Sequence, residues 1–91
     1  MSDILVHTEA GVCSITFNRL DKKNSITAAM YGAMADALQA AQDDAAVRVV
    51  MFQGHETIFS AGNDIADFLN QPPAGEGAPV FRFLRGLAAF P

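Results

Sequence analysis

The run "VRVVMFQG", from Val47 to Gly54, constrains this chain more than any other stretch. It is almost continuously apolar and β-branched, the pattern of a strand buried on both faces, and such strands belong to parallel sheets layered with helices. The segment before it, "ITAAMYGAMADALQAAQDD", is dominated by alanine and reads as a helix. Met30, Met34, Ala37, Leu38 and Ala41 form one apolar stripe on that helix, a core face rather than a cofactor box. Thr27 stands where a helix N-cap belongs. Asp43 and Asp44 lie at the negative end of the helix dipole, where they mark a solvated stop. Earlier still, "ILVHT" and "VCSITFN" flank "EAG" and read as a β-hairpin. In its second arm Cys13, Ile15 and Phe17 share the core face, and Val12, Ser14, Thr16 and Asn18 share the other. Cys13 is thus buried filler and not a nucleophile. The expected architecture is layered α/β, with strands over residues 4–8, 12–18 and 47–53 and helices over 27–42, 65–69 and 80–90.

Composition narrows the function classes. Of 91 residues, 51% are apolar and 18% charged, which excludes a disordered tail, and no apolar run approaches the ~18 residues of a membrane span. A net charge of -4 argues against a general nucleic-acid or membrane-surface binder. It leaves room for a few cations gathered around one anionic ligand. The single cysteine cannot form an internal disulfide, and the first residues lack the basic-then-apolar pattern of a secretion signal. A cytoplasmic setting fits these facts. Beyond Phe68, "NQPPAGEGAP" reads as a loop. "VFRFLRGLAAFP" then starts an apolar helix that ends without a polar tail, so the expectation is an N-terminal part of one longer domain, residues 1–91, or a partner surface supplied by another chain.

Two segments carry possible chemistry. In "IFSAGNDIADF" an apolar run meets a small-residue corner and turns amphipathic at once. Gly62 permits backbone angles that other residues avoid and lets a ligand approach the main chain. Asp64 is placed to cap a short helix, and amides from Asn63 onward would stand unpaired at its start, where negative charge is welcome. Spacing alone nonetheless favours an ordinary strand-to-helix turn. A nucleotide phosphate loop is excluded, since the corner has one glycine and no following Gly-Lys-Ser/Thr. The other segment, "RLDKKNS", is a basic loop that composition alone treats as solvated surface.

"FNRLDKKNSIT" followed, after one helix and one strand, by "HETIFSAGNDI" resembles the enoyl-CoA hydratase and isomerase family, the crotonase superfamily. The resemblance covers essentially the whole chain. It implies the start of that family's spiral of ββα turns, assembled as trimers or paired trimers, and a thioester of coenzyme A as the substrate, with no separate cofactor and no metal. It implies further that the thioester oxygen sits between two backbone amides that stabilise an enolate. One of these is the main-chain N–H of Asn63, within a substrate-contacting set of Ser60, Ala61, Gly62, Asn63, Asp64 and Ile65. Lys22 and Lys23 would serve the coenzyme's phosphates, and backbone around Ser25 and Ala61 its pantetheine and adenine. Leu20 stands where the family commonly has proline, which makes the loop entry less rigid.

The resemblance places the second donor, a glycine amide, and the acid and base carboxylates beyond residue 91. Asp64, Asp67 and Glu76 have simpler structural explanations, so the chain alone is expected to show little turnover. "SAGNDIADF" leading into "QPPAG" is similar to the branch that isomerises 3-enoyl-CoA to 2-enoyl-CoA, with 2-enoyl-CoA hydration as the competing chemistry. Hydrolase, lyase and dehalogenase members share the corner, so it speaks for thioester activation and not for one reaction. From another class, a non-catalytic unit docking through residues 80–90 also remains open.

Overall fold

The computed structural model describes residues 3–54, 58–70, 75 and 77–90. The hairpin forms as its alternation predicts: β1 (Ile4–Glu9) pairs antiparallel with β2 (Val12–Phe17), placing Ile4 opposite Phe17 and Glu9 opposite Val12. Ala10 and Gly11 make the two-residue turn with φ of 51° and 80°. Positive φ at both central positions is the turn whose twist suits a hairpin.

After a short 3-10 turn at Leu20–Lys22, helix α1 (Ala28–Asp43) crosses the sheet and leads into β3 (Val49–Gln53), which lies parallel to β2. The sheet order is β1-β2-β3. A helical crossover is what a parallel pair requires. At the start of α1 the Thr27 hydroxyl accepts from the Met30 N–H at 3.2 Å, a cap that contributes about 1 kcal/mol. The Met30 sulfur in turn accepts from the Thr27 N–H.

The core lies between the sheet and α1. Cys13, Ile15 and Phe17 from β2 meet Met30, Met34, Ala37, Leu38 and Ala41, all buried. The hairpin face, the α1 stripe and the buried Cys13 thiol therefore stand as expected. Two helices follow: α2 (Ile65–Asn70) and α3 (Pro79–Ala89). α3 packs along α1, where Gly86 lies so close to Leu38 that a Cβ would sit 3.5 Å from the leucine methyl. The Phe83 ring contacts both Tyr31 and Phe52, and Arg82 pairs with Asp36 at 2.6 Å. The apolar helix at residues 80–90 thus has a partner within this chain, although Phe81, Leu84 and Leu87 of its outer side stay exposed.

The structure corrects one expectation. β3 is parallel to β2 but is not buried on both faces: Val50 and Phe52 turn to the core, while Val49 and Met51 are 52% and 43% exposed. Among the described residues the packed helical cover lies on one side of β3, so its apolar content marks a surface suited to burial that α1 and α3 cannot reach. The proline-rich stretch at 71–74 and Glu76 lie outside the described residues.

Candidate active site

The basic loop and the glycine corner, separated by α1 and β3, are hydrogen-bonded into one unit. Asn24 is its centre. Its φ is 57° and it is fully buried, an arrangement that asparagine tolerates better than most residues. Its Oδ1 accepts from the Arg19 N–H at 2.8 Å, and its Nδ2 donates to the Phe59 carbonyl at 3.2 Å. The Ser60 hydroxyl donates to the Asn24 carbonyl at 2.8 Å and accepts from the Gly62 N–H at 3.1 Å. The Ala61 N–H donates to the Lys23 carbonyl at 3.0 Å.

A short parallel bridge between Ile26 and Asn63 continues this seam. The Ile26 N–H donates to the Gly62 carbonyl at 2.8 Å, and the Asp64 N–H donates to the Ile26 carbonyl at 2.9 Å. The geometry of the donor follows. A trans peptide points its N–H opposite to its C=O. With the Gly62 carbonyl turned towards Ile26, the Asn63 N–H of the same peptide is turned away from the seam, and it makes no hydrogen bond among the described residues. Gly62 holds φ of 94° at this point, a backbone region open to glycine. Among the described residues nothing lies within 4 Å of where its Cβ would be, so backbone conformation and not lack of space selects glycine.

Asp64 caps α2 as expected: its Oδ1 accepts from the Asp67 N–H at 2.9 Å. Its other oxygen carries a feature that sequence reasoning missed. Arg19 donates to Asp64 Oδ2 at 2.7 Å, and the same nitrogen reaches the Ser25 carbonyl and hydroxyl at 3.0 Å each. Both partners of this ion pair are only 17% exposed at the side chain. Asp67, in the first turn of α2, has a structural task of its own. Its carboxylate accepts from the Ala28 N–H at 2.7 Å and so satisfies an amide at the start of α1. With these oxygens committed, Asp64 and Asp67 are poorly placed to carry a substrate proton.

One expected free amide is engaged. Of the amides expected to stand free from Asn63 onward, that of Asp64 is taken by Ile26, because a parallel bridge takes the C=O of one peptide and the N–H of the next. The amides of Ser25 and Ala61 are likewise engaged, by the Lys22 and Lys23 carbonyls. What Ala61 offers outward is its carbonyl, which accepts no hydrogen bond among the described residues. Lys22 and Lys23 are exposed and enter no ion pair among the described residues, and Lys23 adopts a left-handed backbone that ends the 3-10 turn. Ile65 is 75% exposed beside the donor amide.

The Asp67 N–H foremost, and then the Arg19 guanidinium, hold the Asp64 carboxyl below its ordinary value of 3.8. A depressed folded-state value stabilises the fold in full above 3.8, and this contribution is lost as pH falls through the lower value. Thermal melts of wild type and Asp64→Asn should therefore differ most near neutrality and converge in acid. A melting-temperature gap unchanged from about pH 7 to about pH 3 would mean that the ionised Asp64 does not stabilise the fold through Asp67 and Arg19.

Hairpin, crossover helix and parallel strand, with a glycine corner that leaves the Asn63 amide uncommitted among the described residues, define a layered α/β chain with a main-chain donor at its surface. The sequence model of the enoyl-CoA hydratase/isomerase family matches residues 7–89, and the chain belongs to that family. It is 39% identical to rat enoyl-CoA delta isomerase 2 over 97% of its own length and 24% of the relative's. It is 43% identical to mouse peroxisomal enoyl-CoA delta isomerase 3 over 81% of its length and 22% of that protein. Against the structure of Pseudomonas aeruginosa OdaA it superposes with a TM-score of 0.93 at 48% identity, covering 99% of this chain and 36% of the other. The chain thus spans about a quarter of the curated relatives' length, and the structural match confirms the crotonase-like α/β fold. No helix among the described residues is long and apolar enough to cross a membrane.

Proposed function

We propose that this chain supplies the thioester-binding corner of an acyl-CoA enzyme, with the Asn63 N–H as one of two oxyanion donors. The observation that carries the reading is that this amide is held at a fixed seam and makes no hydrogen bond among the described residues. A thioester oxygen gains charge when a proton leaves the adjacent carbon. A pre-oriented N–H needs no reorganisation to meet that charge, and this is why backbone donors suit the task. Lys22 and Lys23 serve the coenzyme phosphates as mobile point charges. The Ala61 carbonyl accepts from an amino or amide donor of the coenzyme, Ser25 and Ser60 shape the groove, and Gly62, Asp64 and Ile65 frame the reacting carbons.

The reaction we favour is isomerisation of 3-enoyl-CoA to 2-enoyl-CoA. A base takes the proton from the carbon next to the thioester, the charge rests on the oxygen, and the proton returns two carbons further on. The delta isomerase names of the rat and mouse relatives support this choice. The carboxylate that moves the proton lies outside the residues described here, since Asp64 and Asp67 are occupied. The buried free thiol of Cys13 agrees with a reducing compartment, for which the cytoplasm is our reading, and a trimer or paired trimer is our reading of the assembly. Turnover of 3-enoyl-CoA by the full-length protein should exceed hydration of 2-enoyl-CoA; hydration without isomerisation would overturn the assignment in favour of a hydratase. Absence of any acyl-CoA binding would instead indicate a non-catalytic unit.

A further inference from the structure

Tyr31 lies in the first turns of α1, 32 residues from the corner, and donates its phenolic hydrogen to Asn63 Oδ1. Nothing in the fold requires this bond, since Asn63 is exposed and its amide side chain could be solvated. The contact therefore ties the residue that owns the free N–H to a 16-residue helix packed on the core.

We propose that Tyr31 is a positioning residue for the Asn63 amide. This inference rests on the reading of that amide as an oxyanion donor. The Gly62–Asn63 peptide is anchored at one point, its carbonyl, which accepts from the Ile26 N–H at 2.8 Å. One hydrogen bond sets the direction of the peptide but leaves its plane able to swivel about that axis. The residue before it is a glycine with φ of 94° and open space around its α-carbon, so little steric resistance opposes the swivel. The next anchor is the Asp64 N–H on the Ile26 carbonyl, on the same side of the seam. The bond from Tyr31 to Asn63 Oδ1 acts from a different element, and an anchor off the seam is what a swivelling plane lacks.

The tyrosine itself is well held. Its backbone N–H donates to the Thr27 carbonyl at 3.1 Å, and its ring stands 5.6 Å from that of Phe83 on α3. Burial pushes the Tyr31 phenol above its ordinary 10.0, so it remains a protonated donor at neutral pH. The path from α3 through the Phe83 and Tyr31 rings to Asn63 gives the N–H a support that does not pass through the glycine.

The test uses the full-length enzyme with Tyr31→Phe, Asn63→Ala and the double variant. Phenylalanine keeps the ring contact with Phe83, and alanine keeps the main-chain N–H, so each removes the tether alone. Each single variant should lower kcat about tenfold with KM within about twofold, since a donor slightly out of line loses charge stabilisation and not binding. The double variant should be no slower than either single, because both remove the same bond. The carbonyl stretch of a bound, isotope-labelled saturated acyl-CoA reports the same event without turnover, and in all three it should shift towards its value for the free thioester. Unchanged kcat in Tyr31→Phe, a rise confined to KM, or losses that multiply in the double variant would overturn the tether. An ester in place of the Gly62–Asn63 amide separates the two levels. If the ester leaves the carbonyl stretch unmoved, the donor reading falls and the tether with it; if the ester moves it and Tyr31→Phe does not, only the tether falls.

Discussion

An enzyme carrying an ester in place of the amide between Gly62 and Asn63 should lose about 100-fold to 1000-fold in kcat, the usual cost of deleting one oxyanion donor. The substitution suits this site because the Asn63 N–H makes no hydrogen bond within the described fold, so its loss removes no structural contact. The Gly62 carbonyl becomes a weaker acceptor for the Ile26 N–H, a change confined to a fraction of an ordinary hydrogen bond of about 1 kcal/mol. Stability should therefore change little while turnover collapses. Asn63→Ala, which retains the amide, should lose at least tenfold less activity than the ester. A kcat within about threefold of the unmodified enzyme would show that this N–H does not face the developing charge.

The second large effect is on stability. Asn24→Ala should lower the melting temperature of the 91-residue chain by about 12–20 °C, corresponding to about 3 kcal/mol. The side chain is completely buried and both of its ends are used, one by the Arg19 N–H and the other by the Phe59 carbonyl. Truncation leaves both groups without a partner in a site closed to water, and it puts alanine at φ of 57°, a left-handed backbone that asparagine tolerates better. Asn24→Asp separates the parts, since its carboxylate still accepts from Arg19 but faces the Phe59 carbonyl with no donor. It too should be destabilised. A shift of less than about 3 °C in Asn24→Ala would mean that the loop and corner are held together elsewhere.

These two residues illustrate what could be read in advance. Glycine before a helix-capping aspartate made the corner suspect, and its pairing with "NRLDKKNSI" named the family, yet Asn24 passed as one more loop residue. Nothing local distinguishes an asparagine that faces water from one that crosses to Phe59, 35 residues away. The same holds for Arg19 with Asp64, 45 residues apart, and for Asp67 with Ala28, 39 apart. A signal did exist for Arg19: it opens the loop that the resemblance already pairs with the corner, so a cation there and an acid at Asp64 were candidates for one ion pair.

Sequence alone determined whatever depends on neighbours within a few residues. The alternation of Cys13, Ile15 and Phe17 specified the inward face of β2, the spacing of Met30, Met34, Leu38 and Ala41 specified the inward face of α1, and Thr27 and Asp64 capped helices three residues ahead of the amides they serve. Periodicity and capping are short-range, so the order of residues is sufficient to state them. Tertiary structure decided which amide at the corner stays free and which side of β3 is covered. Both depend on where the crossover through α1 delivers the chain: the bridge from Ile26 takes the Asp64 N–H and the Gly62 carbonyl and leaves the Asn63 N–H, while α1 and α3 cover Val50 and Phe52 and leave Val49 and Met51. A peptide group can satisfy only one side of a seam, and which side that is becomes defined only when the distant strand is in place.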